Sequence, residues 1–119
     1  MRTICIASFL LVITGCTSDT LDNTTYRRLV DQFDTESQCL ETGNFTPCYQ
    51  TLTFCADGRV NANLDYRQEG DYTVRDSRAI ARLPAVTAVF DLETLSSPQL
   101  PGRHRWEQVE PLSIDCAGY

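Results

Sequence analysis

Cysteine is the residue type with the most chemistry to offer here, and it stands at positions 5, 16, 39, 48, 55 and 116. Cys5 and Cys16 belong to the apolar start of the chain. Cys39, Cys48, Cys55 and Cys116 leave an even set spread through the rest. Such a set suits two disulfides in an oxidising compartment. A metal site is the competing use of the same thiols, but there is no C-x-x-C pair and His104 is the only imidazole, so zinc spacing is absent. Three connectivities are open to four thiols. If Cys48 and Cys55 flank one extended strand, they lie about 23 Å apart at about 3.3 Å per residue. A bridge tolerates a Cα separation of only about 7 Å, so they are not joined to each other. Of the two pairings left, Cys39–Cys48 with Cys55–Cys116 is preferred, because its second bridge pins the C-terminal tail to the first hairpin.

Catalytic groups are sparse. His104, the residue type most often used for proton transfer, sits in "RHRW" with no Ser or Cys nucleophile motif beside it. The closest carboxylate pairs are Asp31 with Asp34 and Asp91 with Glu93, and the second of these falls on the wet face of a strand. No glycine-rich phosphate loop occurs. What remains is a set rich in Arg and aromatic residues: Tyr66, Arg67, Tyr72, Arg75, Arg78, Arg82, Arg103, Arg105 and Trp106. Arg, Tyr and Trp dominate recognition hot spots. Tyr72, Arg103, Arg105 and Trp106 are therefore the candidate binding surface. No catalytic residue, cofactor or metal is expected.

The apolar start fixes where such a surface would act. Arg2 precedes a nearly unbroken apolar run from Ile4 to Ile13. Ten helical residues rise about 15 Å, half of the roughly 30 Å of hydrocarbon in a bilayer. The run is too short to span and describes a signal peptide. Its exit, "ITGC" (Ile13, Thr14, Gly15, Cys16), resembles the lipobox of bacterial lipoproteins. The resemblance implies cleavage between Gly15 and Cys16, a diacylglyceryl group on the Cys16 thiol and further acylation, such as palmitate, of the new amino terminus. Two or three chains anchor firmly, since each buried CH₂ contributes about 0.8 kcal/mol and one chain alone holds only marginally. In lipoproteins of this class an Asp directly after the cysteine favours the inner membrane. Thr17 stands there, so the resemblance implies the outer membrane, facing the periplasm. The expected organisation is a cleaved leader over 1–15, a lipidated tether over 16–23 and one β-rich domain over 24–119.

All ten basic side chains are arginine, against sixteen Asp and Glu, and one of the ten, Arg2, leaves with the leader. An acidic domain of this kind is not built for nucleic acid or an anionic lipid surface, both of which select positive charge. Along the chain, Tyr26, Leu29, Val30 and Phe33 fall at helical spacing and predict an N-terminal amphipathic helix, capped by Asn23, Thr24 or Thr25. From Tyr49 the period becomes two. Leu52 and Phe54 share a face, Asp57-Gly58 turns the chain, and Val60, Ala62 and Leu64 line the return strand. Tyr72 with Val74, the run around Ile80, and Val86, Ala88, Phe90 and Leu92 continue the pattern to a last strand near Trp106. The fold class is mainly β: an antiparallel meander of six strands forming a small barrel or curled sheet, with one helix and two disulfides. The stretch from about 52 to 108, with its F-x-x-D-G turn, G-x-Y strand and late Trp, is similar in texture to small lipocalin-like β-barrel lipoproteins. The function expected is that of a lipid-anchored binding or interaction domain for a protein or a small apolar ligand. An accessory subunit of an envelope assembly, or an enzyme inhibitor, is the alternative.

Overall fold

A computed structural model describes residues 20–42, 47–110 and 116. Within them lie seven strands and one short helix: β1 Thr24–Leu29, α1 Glu36–Glu41, β2 Tyr49–Phe54, β3 Arg59–Asn63, β4 Arg67–Arg75, β5 Arg78–Arg82, β6 Thr87–Asp91 and β7 Glu107–Val109. The leader, Cys16 and the tether up to Asp19 fall outside the described residues.

The N-terminal helix expected from Tyr26, Leu29, Val30 and Phe33 is not formed; residues 24–29 are β1. Helical spacing loses here to a period-two pattern in which Tyr26 and Arg28 turn inward and Thr25 turns to the other face, all three buried. An arginine in the apolar phase hides that alternation, while Thr24, Thr25 and Tyr26 are good strand formers. The helix that does form begins later. Thr35 caps it by accepting the Gln38 amide N–H, and the Gln38 side chain accepts the Asp34 amide N–H in return, a variant of the reciprocal capping box. Its one buried residue is Cys39.

The six strands expected downstream of Tyr49 are all present, the last reduced to Glu107–Val109. All pairings are antiparallel, in the order β6-β5-β4-β3-β2-β1-β7. Loop 56–58 closes the first hairpin with Gly58 at φ 94°, a left-handed position that suits glycine. Asp76 and Ser77 close β4 to β5 with both φ values positive, as a two-residue type I′ turn requires.

The sheet is strongly curled. In a flat sheet, five strand spacings of about 4.8 Å would hold β1 and β6 roughly 24 Å apart. Instead the Tyr26 and Phe90 rings lie 4.8 Å apart, centroid to centroid. The result is a half-barrel filled by Tyr26, Leu52, Phe54, Val60, Tyr72, Phe90, Leu100 and Trp106, with small Ala62, Ala79, Ala81 and Ala88 where the walls close in. Edge-to-face contacts link Phe54 to Tyr72 and Phe90 to Trp106. Gly70 marks a tight bend: a Cβ there would run into the Arg82 carbonyl on β5.

Both disulfides match the preferred pairing. Cys39–Cys48 ties α1 to the start of β2, and Cys55–Cys116 ties the end of β2 to the tail, with Cα separations of 5.8 and 5.5 Å. Cys55 continues the outer phase of β2, beside the buried Thr53, which shares a 3.0 Å hydroxyl contact with Thr25.

Beside Cys55, the buried Tyr72 hydroxyl clasps the entering chain. It accepts the Leu21 amide N–H at 2.6 Å and donates to the Cys55 carbonyl at 2.7 Å. Burial pushes its pKa up from 10.0 to about 12. The folded hydroxyl thus keeps its proton where the unfolded one has lost it. The contribution of Tyr72 to stability is full below about pH 10 and falls as pH rises toward 12, with a slope of up to about 1.4 kcal/mol per pH unit. Urea denaturation across pH 9 to 12 should show that decline, and Tyr72→Phe should make it shallower.

Candidate functional site

The half-barrel does not close by hydrogen bonds. Its edge strands β6 and β7 are not paired to each other, and the connection 92–106 covers the seam between them. Where β6 gives way to that connection, the Asp91 carboxylate accepts the amide N–H groups of Glu93 and Thr94. These bonds hold the carboxyl below the usual carboxylate range. The Asp91 amide donates to the Ser96 carbonyl, and Gln99 reaches back to accept the Val89 amide. Leu100, from the turn region "SSPQLPG", then drops into the core. A cleft of about 300 Å³ lies beneath this cover, walled by residues 94–97 and 100–106 with Arg28 among them.

Arg28 organises the cleft. Its side chain leaves β1 on the inward face, and the residue is only 5% exposed. Nε and Nη2 donate to Gln50 Oε1 at 3.1 and 2.7 Å. Nη1 donates to the Leu100 carbonyl at 2.8 Å, and Nη2 also reaches the Pro101 carbonyl at 3.2 Å. The guanidinium lies over the Trp106 ring, 4.6 Å from its centroid. Gly102 packs so closely that a Cβ would fall 2.6 Å from Nη1. Any larger residue there would have to displace the guanidinium. Arg28 makes no ion pair with any described residue. Burial pulls its pKa below the ordinary value, and the field of Asp31 opposes that shift; a guanidinium stays charged regardless.

The rim is stapled from outside. Arg103 donates to the Asp31 and Phe33 carbonyls and pairs with the Asp34 carboxylate at 2.7 Å. The Arg103 amide donates to Asp31 Oδ1. His104 Nε2 stands 2.6 Å from the Phe33 carbonyl, an acceptor only, so Nε2 carries the proton. A second cleft, of about 440 Å³, opens on the other side of Arg28 and Pro101, against Val30, Asp31, Gln32, Gln50 and Asp65.

The sequence-predicted surface is thus divided. Arg103 and Arg105 are exposed, and Arg105 makes no ion pair with any described residue. Tyr72 and Trp106 are core residues at 2% and 4% exposure and form no outward recognition patch, a correction to the expected surface. Trp106 still borders the cleft, and its Nε1–H is buried with no acceptor among the described residues. Tyr72 lies with the N-terminal clasp instead. Alternation along "RHRW" survives although no strand forms there: Arg103 and Arg105 face out, Trp106 faces in and His104 is half-buried.

Compared with family models, with curated proteins and with solved structures, the chain finds no match in any of the three. The site is therefore read from its own geometry. Arg28, Gln50 and Leu100 were not legible as site residues. The available signal was the inward phase of Arg28 two positions after Tyr26, which becomes visible only once 24–29 is taken as a strand.

Proposed function

We propose that the chain is a lipid-anchored, periplasm-facing envelope lipoprotein whose small β-domain acts as a binding or interaction module rather than as an enzyme. The observation that carries the reading is "ITGC" placed directly after a ten-residue apolar run. Three structural features support it. The described cysteines are all bridged, as suits an oxidising compartment. The chain enters the domain at Leu21, held by Tyr72, so the short segment from Cys16 would keep the body close to its anchor. His104 has one ring nitrogen committed to the Phe33 carbonyl, and among the described residues no Ser or Cys is bonded to it. A donor-rich cleft without a nucleophile–base pair suits holding a ligand better than transforming one.

The anchor is tested by growing a bacterial host expressing the full chain with labelled palmitate. The wild-type protein should take up label and sediment with membranes. Cys16→Ser should lose both. A mutant that still carries label or still sediments completely would remove the lipoprotein reading.

A further inference from the structure

The seam cleft reverses the charge balance of the chain around it. Arg28, Arg103, Arg105 and His104 line it and no Asp or Glu does, although the chain carries sixteen acidic side chains against ten basic ones. Arg103 is neutralised by Asp34 from outside. Arg28 and Arg105 have no carboxylate partner among the described residues. A guanidinium has five N–H groups. The bonds to Gln50, Leu100 and Pro101 account for Nε, one N–H of Nη1 and both of Nη2, which leaves one on Nη1. The Trp106 Nε1–H, on the ring stacked against that guanidinium, has no acceptor among the described residues but is too deeply buried to meet a molecule in the cleft. A buried cation with no ion-pair partner among the described residues, offset only by the field of Asp31, is costly, and an anion in the cleft relieves it.

We infer that the seam cleft binds the carboxylate of a small organic acid, with Arg28 as the N–H donor and Arg105 as a second positive charge at the rim. The inference rests on the reading of the domain as a binding module. A carboxylate offers two oxygens in a plane, one for the unfilled Nη1 N–H of Arg28 and one for the Arg105 guanidinium at the rim. A tetrahedral phosphate gathers more acceptor positions on one centre than these donors satisfy. The volume of about 300 Å³ lies at the lower end of small-molecule pockets, which favours a compact acid over a long chain.

Trp106 is the only tryptophan, so intrinsic fluorescence reports directly on the cleft. Full-length protein in detergent is titrated with sodium succinate, sodium phosphate and, at matched ionic strength, sodium chloride. Succinate should give a saturable change that chloride does not, with half-saturation below that of phosphate. Arg105→Gln, at an exposed position, should keep the urea midpoint and raise the succinate concentration at half-saturation about tenfold. A response that never saturates, a preference for phosphate, or an Arg105→Gln variant that titrates like wild type would overturn the site. The anchor is judged separately by the palmitate label on Cys16. Labelled protein that ignores succinate loses the site and keeps the anchor, and unlabelled protein that binds succinate does the reverse.

Discussion

Replacing Cys55 and Cys116 together by alanine is expected to lower the unfolding free energy by about 4 kcal/mol, read as a fall in the urea midpoint. The bridge closes a loop with a sequence separation of 61, and the loss of chain entropy in the unfolded state grows with the logarithm of that length. The Cys39–Cys48 loop, with a separation of 9, should yield only about 2.7 kcal/mol on the same reasoning. Losing the long bridge also frees Cys116, whose carbonyl accepts from Arg59 at 3.3 Å. Domains of this size have roughly 5–15 kcal/mol in total, so the double variant should be close to the edge of folding at 37 °C. Equal midpoint shifts for the two alanine pairs would show that loop length is not what sets the contribution.

A second large effect is expected at Arg28. Arg28→Met should cost about 3 kcal/mol: it abandons Gln50 Oε1 and the Leu100 and Pro101 carbonyls, each a buried or half-buried acceptor. Removing a desolvated charge offsets part of that loss. Arg28→Lys should be at least as damaging. The ammonium is a point charge without the planar fork, so it cannot serve acceptors on β2 and on the seam connection together, and it remains a buried cation. Charge alone would make lysine the milder change. A Lys variant with a urea midpoint near wild type would therefore sink the assignment of Arg28 as the residue that joins β1, β2 and the seam. Its position explains why so much depends on one side chain: Trp106 and Gly102 both pack against the same guanidinium.

Strands β2 to β6 were legible because their signals are local. Leu52 and Phe54, then Val60 and Ala62, then Ala88 and Phe90 alternate with polar neighbours, and the core contains all six. Turn chemistry at Asp57-Gly58 set the first hairpin. The disulfide pairing was legible in part, since strand length alone excludes a Cys48–Cys55 bond. β1 was not legible, because its inward phase contains Arg28 and its apolar neighbours Leu29, Val30 and Phe33 imitate a helical stripe. What makes Arg28 an inward residue is a guanidinium site assembled from Gln50, Leu100 and Trp106, which are 22 to 78 positions away. No local pattern encodes that. The candidate site shared this weakness: Arg103 and Arg105 were found as exposed cations, whereas the aromatic residues chosen with them are packed inside.

The strand order has a consequence for how such a shell can end. Neighbours alternate in direction, and the list begins with β6 and finishes with β7 after an odd total of seven. The two margins consequently point the same way. An antiparallel ladder cannot join them, and the chain leaving β6 must travel back the full height of the wall before β7 can start. Parallel neighbours need a return of about a dozen residues or more, and 92–106 has that length. Parity alone thus imposes a long strap between the two margins, and the strap is where Ser96, Leu100, Gly102 and Arg105 are found.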